Sequence, residues 1–162
     1  MLKRGFTIVE LIIIITVMGI LLVLGVVNLS SSQVNARDAE RKSDIETIAM
    51  HLETFYNFGT DYNSGNQATG RYPSVEEMNS LANQIKTLRD IDPKALNAPG
   101  QTVTSLIAQG DSSGITKDKY IYIPKKIDGA TCQYDENECT KFTLVYRKEQ
   151  YPDPIQVESK NQ

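Results

Sequence analysis

Apolar and polar positions divide this chain into two unlike parts. From Leu11 to Leu29 no residue is charged and only Thr16 and Asn28 are clearly polar, whereas the remainder is rich in Asp, Glu, Lys, Asn, Gln and Ser. A run that is apolar on every side suits lipid or the interior of a helix bundle. As a helix it is roughly 28 Å long, close to the ~30 Å hydrocarbon core of a bilayer. Past this run the pattern changes without a break, because no proline or glycine occurs from Val26 to Phe58. Ile45, Ile48, Leu52 and Phe55 recur at helical spacing with Ala49 and Tyr56 beside them. Arg37, Asp38, Glu40, Arg41, Lys42, Asp44, Glu46 and Glu53 take the other faces. That stripe predicts an amphipathic helix lying on a core, and it is too short for the sustained heptads of a coiled coil. The expectation is one helix from Phe6 to Phe58, apolar over 6–29 and amphipathic over 30–58.

The rest, 59–162, reads as a globular head. Gly59 to Arg71 is rich in Gly, Asn, Asp and Ser and predicts a loop. Ser74 and Glu77 have capping-box spacing ahead of Val75, Met78, Leu81, Ile85 and Leu88, which predicts a short second helix. Asp92-Pro93 and Ala98-Pro99-Gly100 are turn signals, and Thr102 to Ala108 reads as another short helix or an irregular segment. Tyr120 to Ile123, ending before Pro124, and Phe142 to Tyr146 are β-rich, with Ile155 to Val157 as a third strand. An antiparallel sheet packed on the stripe accounts for all three, and the fold class is α+β.

A length of 162 residues is one domain's worth, and the net charge of -3 gives no general basic surface, so bulk attraction to nucleic acid is not suggested and only a local patch stays open. The two cysteines, Cys132 and Cys139, have no third to complete a zinc site. If that end lies in an oxidising compartment they pair, closing a small loop worth about 2.5 kcal/mol in the chain-entropy model. Its role would be to stiffen an exposed connection.

At the other end, Met1-Leu2-Lys3-Arg4-Gly5 is a very short basic leader. It differs from a secretory signal, whose apolar stretch is shorter and ends in a small-residue cleavage site; here Ser30 to Asn35 offers none. Lys3 and Arg4 place the N-terminus in the cytoplasm and the head outside. Glu10 is an anomaly: a carboxylate in an apolar segment costs about 2.5–3.5 kcal/mol at a membrane helix's centre, less near an end, and asks for a partner. The plainer reading puts it at headgroup level. Gly19 and Gly25 are the only helix breakers in the run, suited either to local melting or to close helix packing.

Lys3-Arg4-Gly5 followed by Phe6-Thr7-Ile8-Val9-Glu10-Leu11 resembles the class III signal of type IV prepilins and pseudopilins. The resemblance is specific over Lys3 to Leu29 and architectural beyond, and the family's frequent helix proline has no counterpart here. It implies residues 1–5 as a leader removed after Gly5 by a prepilin peptidase, which also methylates the new N-terminal Phe6. It implies a contact of Glu10 with a neighbouring subunit's N-terminal amine; Phe6 and Glu10, four apart, would share a helix face. It further implies a homo-oligomeric helical filament, built with an assembly platform and minor pilins, from a subunit anchored in the membrane beforehand. Adhesion, motility, DNA uptake or secretion would be served, and DNA or a surface are possible partners of the head.

Catalysis is not expected, nor is a cofactor. Gly110-Asp111-Ser112-Ser113-Gly114 fits the G-x-S-x-G pattern, but the only histidine, His51, precedes it instead of following, and a polar turn explains those residues. His51 itself reads as a solvated or half-buried residue. Asp61, Asn63 and Gly65, and Asp135 to Glu138, offer oxygen ligands without a complete calcium-loop spacing, so solvated loops are the reading there.

Overall fold

The computed structural model describes residues 6–59, 70–134 and 138–161. The elements are α1 (Ile8–Phe58), a 3-10 turn (Glu76–Met78), α2 (Leu81–Thr87), a second 3-10 turn (Pro93–Leu96), β1 (Leu106–Ala108), β2 (Tyr120–Lys125), β3 (Lys141–Tyr146) and β4 (Ile155–Glu158). The fold is α+β. The chain divides after Ala36 into an N-terminal unit and a C-terminal unit, 37–162.

In the N-terminal unit α1 stays helical through Gly19 and Gly25. Every described large apolar side chain from Phe6 to Leu29 is exposed, by between 42% and 80%. A Cβ placed on either glycine would meet nothing within 4 Å. Each glycine instead floors a shallow apolar groove, one among Met18, Leu22, Val26 and Leu29, the other among Thr16, Ile20 and Val23.

The C-terminal unit has a closed core. Ile45, Ile48, Leu52 and Phe55 are 0–2% exposed, as their spacing predicts. Ile45, Ile48 and Leu52 pack into one cluster with Tyr120, Tyr122, Phe142, Leu144 and Tyr146 from one face of the sheet, and with Tyr72, Met78 and Leu88. Tyr72 sits between Tyr56, tilted to it, and Phe142, edge-on to it, both ring centroids 4.8 Å away. The disulfide between Cys132 and Cys139 is formed and buried in the same cluster.

Three local expectations are corrected. The sheet, in the order β1-β2-β3-β4, is mixed: β2, β3 and β4 are antiparallel neighbours, but β1 joins β2 in parallel, Leu106 opposite Tyr120. The last part of Thr102 to Ala108 is therefore a strand. Three residues are too few to show a period of two, and this edge is held by non-local bonds, Tyr120 N–H to the Ser105 carbonyl at 2.9 Å and Gln109 N–H to that of Tyr122 at 3.0 Å. Strand β2 also runs through Pro124 to Lys125; proline offers no donor, but its carbonyl accepts from Cys132 N–H at 3.0 Å. Finally, the capping box forms, with Ser74 N–H to Glu77 Oε2 at 2.8 Å and Glu77 N–H to Ser74 Oγ at 3.3 Å, yet opens only a 3-10 turn. The Val75 and Glu76 N–H groups bond the carbonyls of Cys132 and Gln133, which ties this segment to the cysteine loop, and α2 starts afresh on a cap at Ser80.

Replacing Leu52 with alanine is expected to lower stability by about 2–5 kcal/mol through lost burial and a residual cavity. Met50→Ala, two residues away and 59% exposed, should change it by no more than ~0.5 kcal/mol. Denaturant titration of the detergent-solubilised chain, read from tyrosine fluorescence, checks both.

Candidate functional site

The start of α1 is built by two side chains. The Glu10 N–H donates to Thr7 Oγ1 at 3.2 Å, and Glu10 Oε2 accepts from the Thr7 N–H at 3.2 Å and from the Thr7 hydroxyl at 3.3 Å. This is a capping box: it satisfies N–H groups that a helix start leaves open and sets a carboxylate at the positive end of the helix dipole. Glu10 thus finds a partner within its own chain. Thr7, not singled out as a site from the sequence, is that partner, and its signal was readable as a Thr with a Glu three residues on ahead of an apolar run. Phe6 lies two residues before the first helical residue, Ile8, and is 80% exposed. Gly5, the expected cleavage position, and residues 1–4 lie outside the described residues.

Beyond this cap the helix is long and apolar enough to cross a membrane, with a mean hydropathy of 2.9 over its most apolar window. It is the one such helix among the described residues, and its apolar side chains surround it on all sides.

The first residues of the C-terminal unit form an ion cluster. Arg37 grips Glu149 with two parallel bonds, Nε to Oε1 and Nη2 to Oε2, both 2.8 Å. The Arg41 guanidinium, 1% exposed, donates to Glu149 Oε1 at 2.8 Å, to Asp38 Oδ1 at 2.9 Å and to the Lys117 carbonyl at 2.8 Å. The Glu149 N–H closes the network on Asp38 Oδ1 at 2.9 Å. Arg41 and Asp38 share α1 at helical spacing, so one helical turn carries most of the cluster. A buried charge is tolerable only when paired and bonded this fully. The bonds from Arg37 and then Arg41 hold the Glu149 carboxyl down at about 2, although partial burial opposes them.

One turn further along α1, Asp44 Oδ2 accepts from the Tyr120 hydroxyl at 2.7 Å. Burial is the main reason its carboxyl is pushed up to about 6; the tyrosine bond opposes this and nearby Glu40 adds to it. Near the helix end, Glu53 accepts from the Tyr72 hydroxyl at 2.9 Å and, at 2.8 Å each, from the Lys160 N–H and Asn161 Nδ2, which fastens the C-terminal segment to α1. Burial, with the carboxylate beside it, raises the Tyr72 hydroxyl to about 12.

Gly110 to Gly114 follows β1 as a turn, closed by Ser113 N–H to Asp111 Oδ1 at 2.8 Å, and no helix comes after it. His51 lines a cleft of about 320 Å³ with Thr54, Phe55, Phe58, Arg89 and Asp90, remote in sequence from that turn. Among the described residues no group of three His, Cys, Asp or Glu side chains is placed to hold a metal ion. Asp61 to Gly65 and Asp135 to Asn137 lie outside them. No family model, curated protein or solved structure matches the chain.

Two pH effects of opposite sign follow. Because Glu149 is held at about 2 against an ordinary 4.5, the folded state binds its proton more weakly; its contribution is complete above pH 4.5 and lost as pH falls towards 2. Asp44, at about 6 against 3.8, binds its proton more tightly when folded; its contribution is complete below pH 3.8 and lost as pH rises through 6. Asp44→Asn should therefore flatten the decline in thermal midpoint between pH 4 and 6, and Glu149→Gln should flatten the acid limb below pH 4.5. Arg41→Ala, which strips a buried cluster of its cation, should cost about 3–5 kcal/mol at pH 7 by denaturant titration.

Proposed function

We propose that this chain is a structural subunit of a type IV pilus-like filament: a prepilin cleaved after Gly5, methylated at Phe6, held in the membrane by α1 with its head outside, and then polymerised. The observation that carries this reading is a helix apolar on every side, uncovered from Phe6 to Leu29, in a chain whose head has a complete core of its own. Exposed apolar surface on this scale marks a membrane or a protein interface. Lipid satisfies it in the membrane; outside, only packing against similar helices keeps it from water. The class III-like residues Lys3 to Leu11 supply the processing signal that such a transfer requires.

The assembly role assigned to Glu10 is register selection, because a carboxylate left unpaired in a helix bundle is penalised and one paired with a neighbouring amine is not. A minor pilin or secretion pseudopilin would share these features and differ in abundance. One observation favours a second reading, an anchored head that never polymerises: the Thr7 cap already satisfies Glu10 within a single chain.

Mass spectrometry of material sheared from cells separates these readings. Abundant protein beginning at methylated Phe6 is the expected outcome, and an intact Met1 confined to membranes would sink the filament proposal. Glu10→Ala subunits should be processed normally but fail to enter filaments, whereas Thr7→Val subunits, which lose the cap and keep Glu10, should still assemble.

A further inference from the structure

The bridge between Cys132 and Cys139 lies in the core and not on an exposed connection: both residues are 0% exposed, in one cluster with Tyr72, Tyr122 and Phe142. Cys132 is tied to the end of β2, its N–H donating to the Pro124 carbonyl at 3.0 Å, and Cys139 stands two residues before β3. Against this bridge runs the segment 72–76, which holds no strand and only the start of a three-residue 3-10 turn. Its Tyr72 N–H donates to the Cys139 carbonyl at 2.7 Å, that of Val75 to Cys132 at 2.9 Å and that of Glu76 to Gln133 at 3.1 Å. Pro73 has no N–H, and the Ser74 N–H is taken nearby by Glu77 at 2.8 Å. The remaining N–H bonds of 72–76 therefore all end on the cysteine segment.

This segment covers the Phe55 end of the buried stripe. The Tyr72 ring meets those of Tyr56 and Phe142, and the Arg71 guanidinium lies 5.4 Å from the centre of the Phe55 ring. Side chains add to the attachment, the Tyr72 hydroxyl donating to Glu53 at 2.9 Å and the Tyr122 hydroxyl to the Pro73 carbonyl at 2.6 Å. The registers that join β2, β3 and β4 involve neither cysteine. The bridge thus bears on the segment more than on the sheet. Its ends are seven residues apart, and closing so short a loop favours the linked arrangement by a factor of roughly fifty in the chain-entropy model.

We propose that the bridge is a one-way redox clasp: formed while the head is still open, it fixes residues 71–76 over the end of the stripe, and closure of the core then shields it from reductants. The chemistry is thiol–disulfide exchange with a disulfide-bonded oxidant. The thiolate of one cysteine attacks the oxidant's disulfide, giving a mixed disulfide and releasing one thiolate, and the second cysteine displaces the other. The chain's two thiols lose two electrons and two protons, and the oxidant gains them as two thiols. Access sets the order of events, because the thiols of an open head meet the oxidant whereas buried sulfurs meet neither oxidant nor reductant. In a chain kept reduced, Phe55, Tyr56 and Phe142 lose this cover, so the head is completed only in an oxidising compartment. This proposal does not depend on polymerisation.

The test uses the full chain in non-ionic detergent, once with the bridge formed and once refolded with dithiothreitol so that both thiols stay reduced. Hydrogen exchange read by mass spectrometry should show the Tyr72, Val75 and Glu76 amides exchanging about fiftyfold faster in the reduced chain, with those of β2 and β3 changed by no more than about threefold. Cys132→Ala with Cys139→Ala should reproduce that pattern without reductant. In the folded, bridged chain dithiothreitol should open the bond at least about tenfold more slowly than in the same chain unfolded in urea. Equal exchange of the three amides in both forms, or acceleration spread over β2 and β3 as well, would overturn the clasp. Reduction of the folded chain as fast as the unfolded one would overturn its shielding.

Discussion

One backbone, α1, carries two surfaces with opposite solvent requirements. Over its first part the apolar side chains are exposed on every side; from Ile45 to Phe55 a stripe of them is buried, with Ile45, Ile48 and Leu52 packed in one cluster with the sheet and Tyr72. Burial of that stripe is what the head is organised around, since residues of the strands and the disulfide share one cluster with it. The same hydrophobic effect leaves the first part unsatisfied within a single chain, and this makes its surroundings a functional question.

Between the two surfaces polar chemistry takes over. Arg37, Asp38 and Arg41 fall within the first turns of the C-terminal unit, where the apolar run has ended and the buried stripe has not begun. Glu149 reaches them from the segment after β3, 112 residues away from Arg37 in sequence. Buried cations would be costly there without it, so the cluster specifies which segment must seal the beginning of the stripe. Glu53 does the corresponding work near the helix end through the backbone and side chains of Lys160 and Asn161. The head is thereby fastened to α1 at both ends of its apolar contact.

Much of this was legible in the residues themselves. Length, uninterrupted helical pattern and stripe all follow from local spacing, and the three longer strands follow from runs of β-branched and aromatic residues. Strand β1 was not legible, because three residues carry no usable period and its partner is non-local. Nor was the shortness of the turn after Ser74, whose cap is local but whose N–H groups are taken by carbonyls of the cysteine loop. At the start of α1, Glu10 is conspicuous as a charge among apolar residues, whereas Thr7 has only the weaker signal of a cap residue three positions before it.

The sequence by itself determined that a long apolar helix runs on into an amphipathic one and then into an α+β head, because those properties depend on the order and period of residues along the chain. Only the tertiary structure decided the parallel edge, the grip of Glu149 on Arg37 and Arg41, the opposite pH responses of Asp44 and Glu149, and the second buried cluster of Ile121, Ile123 and Val145 on the far face of the sheet. Each of these depends on which distant residues become neighbours, and on how much water is removed from between them.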